Sequence, residues 1–159
     1  MSDAPPKKNL VHVLNDMFES TKKKLRSSQA DILKKCVIKN EEEMRSLGEK
    51  PCKICTLSRD GRGRCQRSMR IGGKKMNFRP WHICWIAKNG KAPTDLQYSH
   101  RCHEENCCEQ SHGRWETDPF NKDRNRCKTA SHVVYQDGTV ELMCPHESPC
   151  LVPFFSKMK

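Results

Sequence analysis

The sequence predicts an α+β fold with a small hydrophobic core, and three features support this prediction. Apolar residues recur with helical spacing between residues 10 and 37. Residues 132–143 consist of two runs typical of β-strands on either side of an Asp-Gly pair, a pattern that is typical of a β-hairpin. The mean hydropathy is −0.89, yet there are eleven cysteines. Cysteine chemistry is therefore expected to supply stability that a small core cannot.

The cysteine content indicates a reducing compartment. Eleven is an odd number, and the first ten residues are polar and charged rather than an apolar leader. We expect metal-bound cysteines in preference to the disulfides of a secreted protein, which is the alternative. No apolar run approaches the length of a membrane span, so we expect no membrane partner and a nuclear or cytoplasmic location.

The formal net charge is +11, from 30 basic and 19 acidic residues. Such an excess favours a polyanionic partner, and nucleic acid is the commonest one. A basic protein without a polyanionic partner is the alternative.

Two domains are predicted: an amphipathic helical arm over residues 1–48 and a second domain over residues 49–159. Residues 1–8 are rich in Pro and Lys and are predicted to be disordered. From residue 10 to residue 37 the apolar spacing predicts two helical segments, interrupted by basic residues at 22–26. The arm is predicted to pack on the domain, or to mediate a homodimer or binding of another protein.

A third short helix is predicted after these two segments. It begins at Asn40, with Glu43 at the position of a capping box, and it ends at Gly48.

Residues 51–79 predict a basic, twisted β-hairpin with a turn at Asp60-Gly61 and a second glycine turn at Gly72-Gly73. A basic two-stranded ribbon fits the major groove of DNA, and a solvated hairpin is the alternative. The basic side chains are Arg59, Arg62, Arg64, Arg67, Arg70, Lys74 and Lys75.

Residues 80–88 predict a short buried helix that starts at Pro80 and ends at Asn89-Gly90. His82 and Cys84 within it are interpreted as packed residues rather than metal ligands. The segment that follows is predicted to be extended up to His100.

A further short helix is predicted to begin at Asp118-Pro119, because Asp is a good N-cap and Pro suits the first helical position. Asn121 then lies in the first turn, and we expect its amide to face His100.

Two groups of Cys and His have the spacing of structural zinc sites, which need four soft ligands in a tetrahedron. The first is Cys102-x4-Cys107-x4-His112, and its fourth ligand comes from upstream. Cys55 is preferred for that place, then Cys52, then Cys65. Because four protein ligands leave no open position on the zinc ion, the ion at this site, like the one at the second group described next, is predicted to be structural.

The second group is Cys127 followed by Cys144-x-His146-x3-Cys150. Three further residues are interpreted as spare, with His132 as a substitute for the second group: Cys108, His103 and His132.

The pattern SH-x-C-x4-C-x4-H-x2-WE-x4-N-K-x-RN-x-C, from Ser99 to Cys127, resembles the His-Cys box of intron-encoded homing endonucleases. These enzymes belong to the His-Me (ββα-metal) nuclease superfamily. The resemblance implies a zinc-stabilised ββα-metal nuclease domain with a basic β-hairpin.

The resemblance also implies residue roles. His100 matches the general base that activates water, and Asn121 matches the ligand of one catalytic divalent cation, usually Mg²⁺. The two Cys/His groups match the two zinc sites of the family. The arginine that contacts the scissile phosphate in the family has its counterparts in Lys75 and Arg70.

Two departures from the family pattern concern assembly and target. Family dimers exchange long C-terminal tails, whereas nine residues follow Cys150, so we expect the N-terminal helices to substitute in any dimer. The basic ribbon gives no reason to expect the family's target sequence.

Two functions are therefore predicted. The first is a metal-dependent endonuclease that hydrolyses DNA phosphodiester bonds, using two structural Zn²⁺ and one Mg²⁺. The alternative is a zinc-stabilised nucleic-acid-binding module that acts on RNA or has no catalysis.

Overall fold

The computed structural model describes residues 9–128, 132–142, 144–146, 148–151 and 154–157. In these residues it contains five α-helices, nine strands and two short 3-10 turns, so the α+β prediction is confirmed. The predicted disorder of residues 1–8 lies outside the described residues. No helix in the described part of the chain is long and apolar enough to cross a membrane.

The N-terminal residues form helix α1 (Leu10–Ser20) and helix α2 (Lys22–Lys34). The side chain of Asn9 caps α1 by accepting the His12 N–H at 2.9 Å. The break falls at Thr21, so the lysine run begins the second helix instead of separating the two.

The predicted helical pattern is wrong beyond α2, because residues 36–39 form strand β1 (Cys36–Lys39). Val37 and Ile38 are β-branched and favour extended backbone. Strand β1 pairs antiparallel with β2 (Cys52–Cys55), with Cys36 opposite Cys55.

Helix α3 (Glu41–Ser46) follows Asn40, as predicted. Its capping box does not form, because Asn40 is left-handed at φ 58° and its side chain makes no cap hydrogen bond. Gly48 takes φ +73° just after the helix, as a terminating glycine does.

The helical arm packs on the rest of the chain and contributes to its main core. Helices α1 and α2 contact α4 (Pro80–Asn89), and Leu14, Leu25 and Ile32 are fully buried there. The buried Asn15 amide donates to the Ala92 carbonyl at 2.9 Å and accepts its N–H at 2.8 Å. The boundary at residue 48 remains a prediction, although this core extends across it.

The basic hairpin has a different register from the predicted one. Strand β2 pairs with β1, and the hairpin consists of β3 (Arg67–Ile71) and β4 (Lys74–Phe78). Gly72 and Gly73 connect them at φ 58° and 79°, values that side chains rarely allow. The Asp60 carboxylate organises the earlier turn by accepting the N–H groups of Arg62 and Arg64.

The central unit consists of two strands and a helix. Strand β5 (Gln97–His100) pairs antiparallel with β6 (Gly113–Glu116), and α5 (Asp118–Asp123) follows. Thr117 occupies the N-cap position rather than Asp118, which instead forms an i,i+4 ion pair with Lys122.

The C-terminal strands form a separate small sheet. Strands β7 (His132–Tyr135) and β8 (Val140–Leu142) form the predicted hairpin, although residue 143 lies outside the described residues. Strand β9 (Phe154–Lys157) pairs with β7 in parallel.

Candidate functional site

The first Cys/His cluster brings Cys52, Cys102, Cys107 and His112 together, with all ligand atoms within 4.8 Å of one another. The Nδ1 atom of His112 lies 3.7 Å from the sulfurs of both Cys52 and Cys107. Zinc–sulfur and zinc–nitrogen bonds in a tetrahedron require about 3.6 Å between such atoms. The donor set and its geometry therefore fit a zinc ion.

The orientation of the His112 ring supports this assignment. Its Nε2 atom lies 2.7 Å from the Lys50 carbonyl, which can only accept, so Nε2 carries the proton. The lone pair is then on Nδ1, which faces the sulfurs. Metal-bound histidines are commonly fixed in this way.

The preference for Cys55 as the fourth ligand is not met, since the structure places Cys52 in this cluster. Residues three apart on a strand face opposite sides of it. On β2, the side that faces Cys102 and Cys107 carries Cys52, whereas Cys55 lies in the main core with Cys65.

The second cluster contains Cys127, Cys144, His146 and Cys150. The Cys127 and Cys144 sulfurs are 3.5 Å apart, and His146 Nδ1 lies 3.6 Å from Cys127 Sγ. The opposite nitrogen of His146 lies 2.9 Å from the Asp123 carboxylate. Cys144 Sγ and His146 Nδ1 are closer, at 2.9 Å, than two ligands of one zinc ion would be. The donor types suit zinc, and the two Cys₃His clusters are compatible with two zinc ions.

Arg124 connects the second cluster to the central unit. Its guanidinium is buried, contacts both carboxylate oxygens of Glu116 on β6 at 2.6–3.0 Å, and donates to the sulfur of Cys150 at 3.4 Å. These contacts place the second cluster next to α5.

His100 lies at the end of β5, beside the first cluster. Its Nε2 atom is 3.1 Å from the carbonyl oxygen of Cys107, so Nε2 carries a proton and, in the neutral ring, Nδ1 carries the lone pair. Desolvation lowers the pKa of His100 to about 3, which keeps the ring neutral.

An aromatic cluster surrounds His100. The rings of Trp81 and Tyr98 each lie 5.1 Å from its ring, in edge-to-face orientation. Gly113 on β6 leaves room for Tyr98, because a Cβ atom there would lie 1.8 Å from the tyrosine oxygen. His82 packs against Tyr98 as a half-buried residue, and desolvation lowers its pKa to about 4.

Asn121 is held by two hydrogen bonds from β5. Its Oδ1 atom accepts from the Ser99 hydroxyl at 2.8 Å, and its Nδ2 atom donates to Gln97 Oε1 at 2.9 Å. An amide oxygen has a second lone pair, which remains for a cation.

His100 and Asn121 line one cavity of about 490 Å³. The basic and aromatic side chains in its walls include Arg64, Arg79, Trp81 and Arg124. Neither Arg70 nor Lys75 belongs to the described lining of this cavity. They are cross-strand partners on the β3–β4 hairpin, and Arg70 lines a different pocket. The structure therefore does not bring these two residues into the cavity with His100, and their contact with the phosphate remains a prediction.

The two arginines near His100 differ in how firmly they are held. Arg79 donates to Asp60 at 2.8 Å and to the Cys65 carbonyl at 3.3 Å. Arg64 forms one 3.7 Å ion pair with Glu105, and both side chains are largely exposed. Exposed ion pairs of this kind are weak, so Arg64 is the more available cation.

Sequence reasoning missed Arg64, Ser99 and Gln97 as site residues. Ser99 and Gln97 precede His100 directly, and hydrogen bonding of both to Asn121 requires α5 to lie across β5. Arg64 was one of several arginines in a basic segment, and no local pattern separated it from the others.

A ββα unit with a histidine on its first strand and an asparagine on its helix, flanked by two Cys₃His clusters, defines a zinc-stabilised α+β domain of the His-Me type. The chain matches the family model described as the zinc-binding loop region of homing endonuclease, over residues 35–159. It therefore belongs to that family, whose name suggests a nuclease-type function and binding of nucleic acid. Comparison with curated proteins and with solved structures gave no match.

Proposed function

We propose that this protein is a metal-dependent endonuclease that hydrolyses DNA phosphodiester bonds. The observation that supports this most directly is the common cavity lined by His100 and Asn121. The net charge of +11 supports a polyanionic substrate. Nuclear localisation and dimerisation through the N-terminal helices remain predictions.

His100 acts as the general base. Its Nε2–H donates to the Cys107 carbonyl, which orients the ring and leaves Nδ1 as the proton acceptor. A neutral imidazole fixed in this way has a lone pair for a proton of the attacking water, and the negative charge of a bound phosphate would raise its pKa from the low value of the empty site.

Asn121 would hold the divalent cation through Oδ1, and the Ser99 hydroxyl and Gln97 keep its side-chain amide in one orientation. Mg²⁺ prefers oxygen ligands and retains several waters, so one amide oxygen together with phosphate oxygens fits its requirements. When bound, the cation would neutralise charge on the phosphate and stabilise the leaving oxygen.

Arg64 binds a non-bridging oxygen of the scissile phosphate, in place of Arg70 or Lys75. Its weak ion pair with Glu105 exchanges readily for a phosphate. Arg79 is held by its hydrogen bond to Asp60, and its guanidinium lies over the ring of Trp81 in the cavity wall.

A plasmid assay tests the proposal. The zinc-loaded protein should nick or linearise plasmid when Mg²⁺ is added and should leave it intact without Mg²⁺. His100→Ala should lower the cleavage rate by at least about 10², the usual contribution of a general base, while zinc content and DNA binding stay unchanged. His12→Ala, on α1 away from the cavity, serves as the matched control.

Binding without cleavage in the wild type would favour a zinc-stabilised binding module instead. Cleavage of RNA but not of DNA, in a parallel reaction, would contradict the choice of substrate.

The role of Arg64 is tested against Lys75 in single-turnover reactions with saturating protein. Arg64→Ala should slow the chemical step by about 10². Lys75→Ala should weaken DNA binding without slowing that step. Equal rates for Arg64→Ala and the wild type would remove Arg64 from the site.

A further inference from the structure

Four cysteines that belong to neither zinc cluster converge in the main core, and they come from four separate segments. Cys36 is on β1, Cys55 on β2, Cys84 on α4 and Cys108 in the loop after Cys107. We propose that these four thiols form a third metal site, which binds a soft divalent cation of the zinc type.

The pairing of β1 with β2 brings two of the four cysteines together. Cys36 and Cys55 are direct cross-strand partners in the antiparallel register. Such partners have Cβ atoms about 5 Å apart, which suits two ligands of one ion. The thiol of Cys108 interacts with both, and it also interacts with the thiol of Cys84.

The same two chain segments supply ligands to the first zinc cluster and to this third site. Strand β2 carries Cys52 and Cys55 on opposite faces, and the loop carries the adjacent pair Cys107 and Cys108. The loop runs along β2 through hydrogen bonds from Cys55 N to Asn106 O and from Cys108 N to Lys53 O, at 2.9 and 2.7 Å. Each segment therefore presents one thiol to each side.

Burial explains why these thiols favour a metal ion. Cys55, Cys84 and Cys108 are at most 1% exposed. The Cys36 thiol donates to the Ile32 carbonyl at 3.3 Å, and the Cys108 thiol is 3.9 Å from the Asn106 carbonyl. A tetrahedral cation would replace these two weak contacts with metal–sulfur bonds to all four thiols. Cys36 is half-buried at the edge, which provides a route for the ion.

Cys65 lies in the same core but has other partners. Its thiol donates to the carbonyls of Cys55 and Leu57 at 3.2 and 3.6 Å. We therefore assign it no metal, and it provides a matched control.

The third site is more open than the other two clusters, because its four sulfurs do not all lie within 4.8 Å of one another, as the ligand atoms of each of the other two do. Cys84 interacts with Cys36 only through a longer-range electrostatic interaction. Binding of the ion requires the Cys84 side chain to turn toward Cys36, a motion that a side chain makes without a change of backbone.

A metal ion at this position would connect the β1–β2 ribbon to α4. That helix carries Trp81 and His82, which line the cavity around His100. The inference does not depend on nuclease activity, because metal content is measured independently of cleavage.

The test measures zinc per chain in the full-length protein, purified under reducing conditions, by native mass spectrometry and elemental analysis. The wild type should bind three zinc ions, Cys84→Ser should bind two, and Cys65→Ser should keep three. Two zinc ions in the wild type would overturn the proposal, as would three in Cys84→Ser. A wild-type mass lower by two hydrogens, from a Cys36–Cys55 disulfide, would overturn it as well.

A second measurement guards against misfolding of Cys84→Ser. Cobalt(II) titration of the wild type should give three equivalents with sulfur-to-cobalt absorption, and the Cys₄ site should contribute the strongest band per ion. Saturation of that absorption after two equivalents would contradict the third site.

Discussion

The two Cys₃His clusters have the same ligand types but hold different parts of the proposed active site. The first cluster is fully buried, and its Cys107 supplies both a thiol to the cluster and a carbonyl to His100. The second lies nearer the surface and holds the segment after Asn121, through Cys127 and Arg124. Each cluster thus positions one of the two residues proposed for catalysis.

The two histidine ligands also differ in the group that fixes the orientation of the ring. His112 donates to a backbone carbonyl of Lys50, whereas His146 contacts the side-chain carboxylate of Asp123. The orientation of His112 therefore depends on the backbone, whereas the orientation of His146 depends on a side chain that a single substitution removes.

The largest expected effect follows from loss of the first cluster. Cys102→Ser should prevent folding at ordinary temperature, because zinc binding at a structural site contributes about 10–16 kcal/mol of folding free energy. Circular dichroism and tryptophan fluorescence would detect the unfolding. Cys150→Ser is the comparison: it should lose the second zinc while the core of α1, α2 and α4 stays folded. Global unfolding of Cys150→Ser would show that the clusters are equivalent.

A smaller effect is expected at the connection between the second cluster and β6. Arg124→Ala leaves the Glu116 carboxylate, which is only 14% exposed, without its partner, and this should lower the free energy of unfolding by about 3 kcal/mol. Chemical denaturation measures this loss. Arg45→Ala, which removes an exposed pair with Glu41, is the control and should cost less than about 1 kcal/mol. Similar losses in both variants would contradict a structural role for Arg124.

The smallest effect concerns Asp123. Asp123→Asn removes the carboxylate that orients His146 and should weaken zinc binding at the second cluster about 10- to 100-fold. Competition with a chromophoric chelator measures the affinity. Lys50→Ala is the matched control, because His112 uses the backbone of Lys50, and it should leave the first zinc unaffected. A lower zinc affinity of the first cluster in Lys50→Ala would contradict the proposed difference between the two histidine ligands.

Local sequence patterns predicted the short-range features of the site well. The spacing of Cys102, Cys107 and His112 indicated one cluster, and the pairs around Asp118-Pro119 and Asp137-Gly138 indicated a helix and a turn. These features depend on residues close in sequence, where capping and turn chemistry decide the conformation.

Long-range pairing was less predictable. Whether Cys52 or Cys55 faces the first cluster depends on which side of β2 is turned toward the loop, and a shift of one residue reverses it. Strand β2 pairs with β1, which was expected to be helical, so the register could not be derived. The same limitation concealed Arg64, whose place beside His100 follows from the turn around Asp60.

The double use of Cys107 has a consequence for a newly synthesised chain. Without zinc, the loop that carries the Cys107 carbonyl keeps its backbone hydrogen bonds to β2 but loses the anchor of the Cys107 thiol. The proposed hydrolysis would therefore depend on zinc uptake as well as on Mg²⁺, although zinc takes no part in the reaction itself.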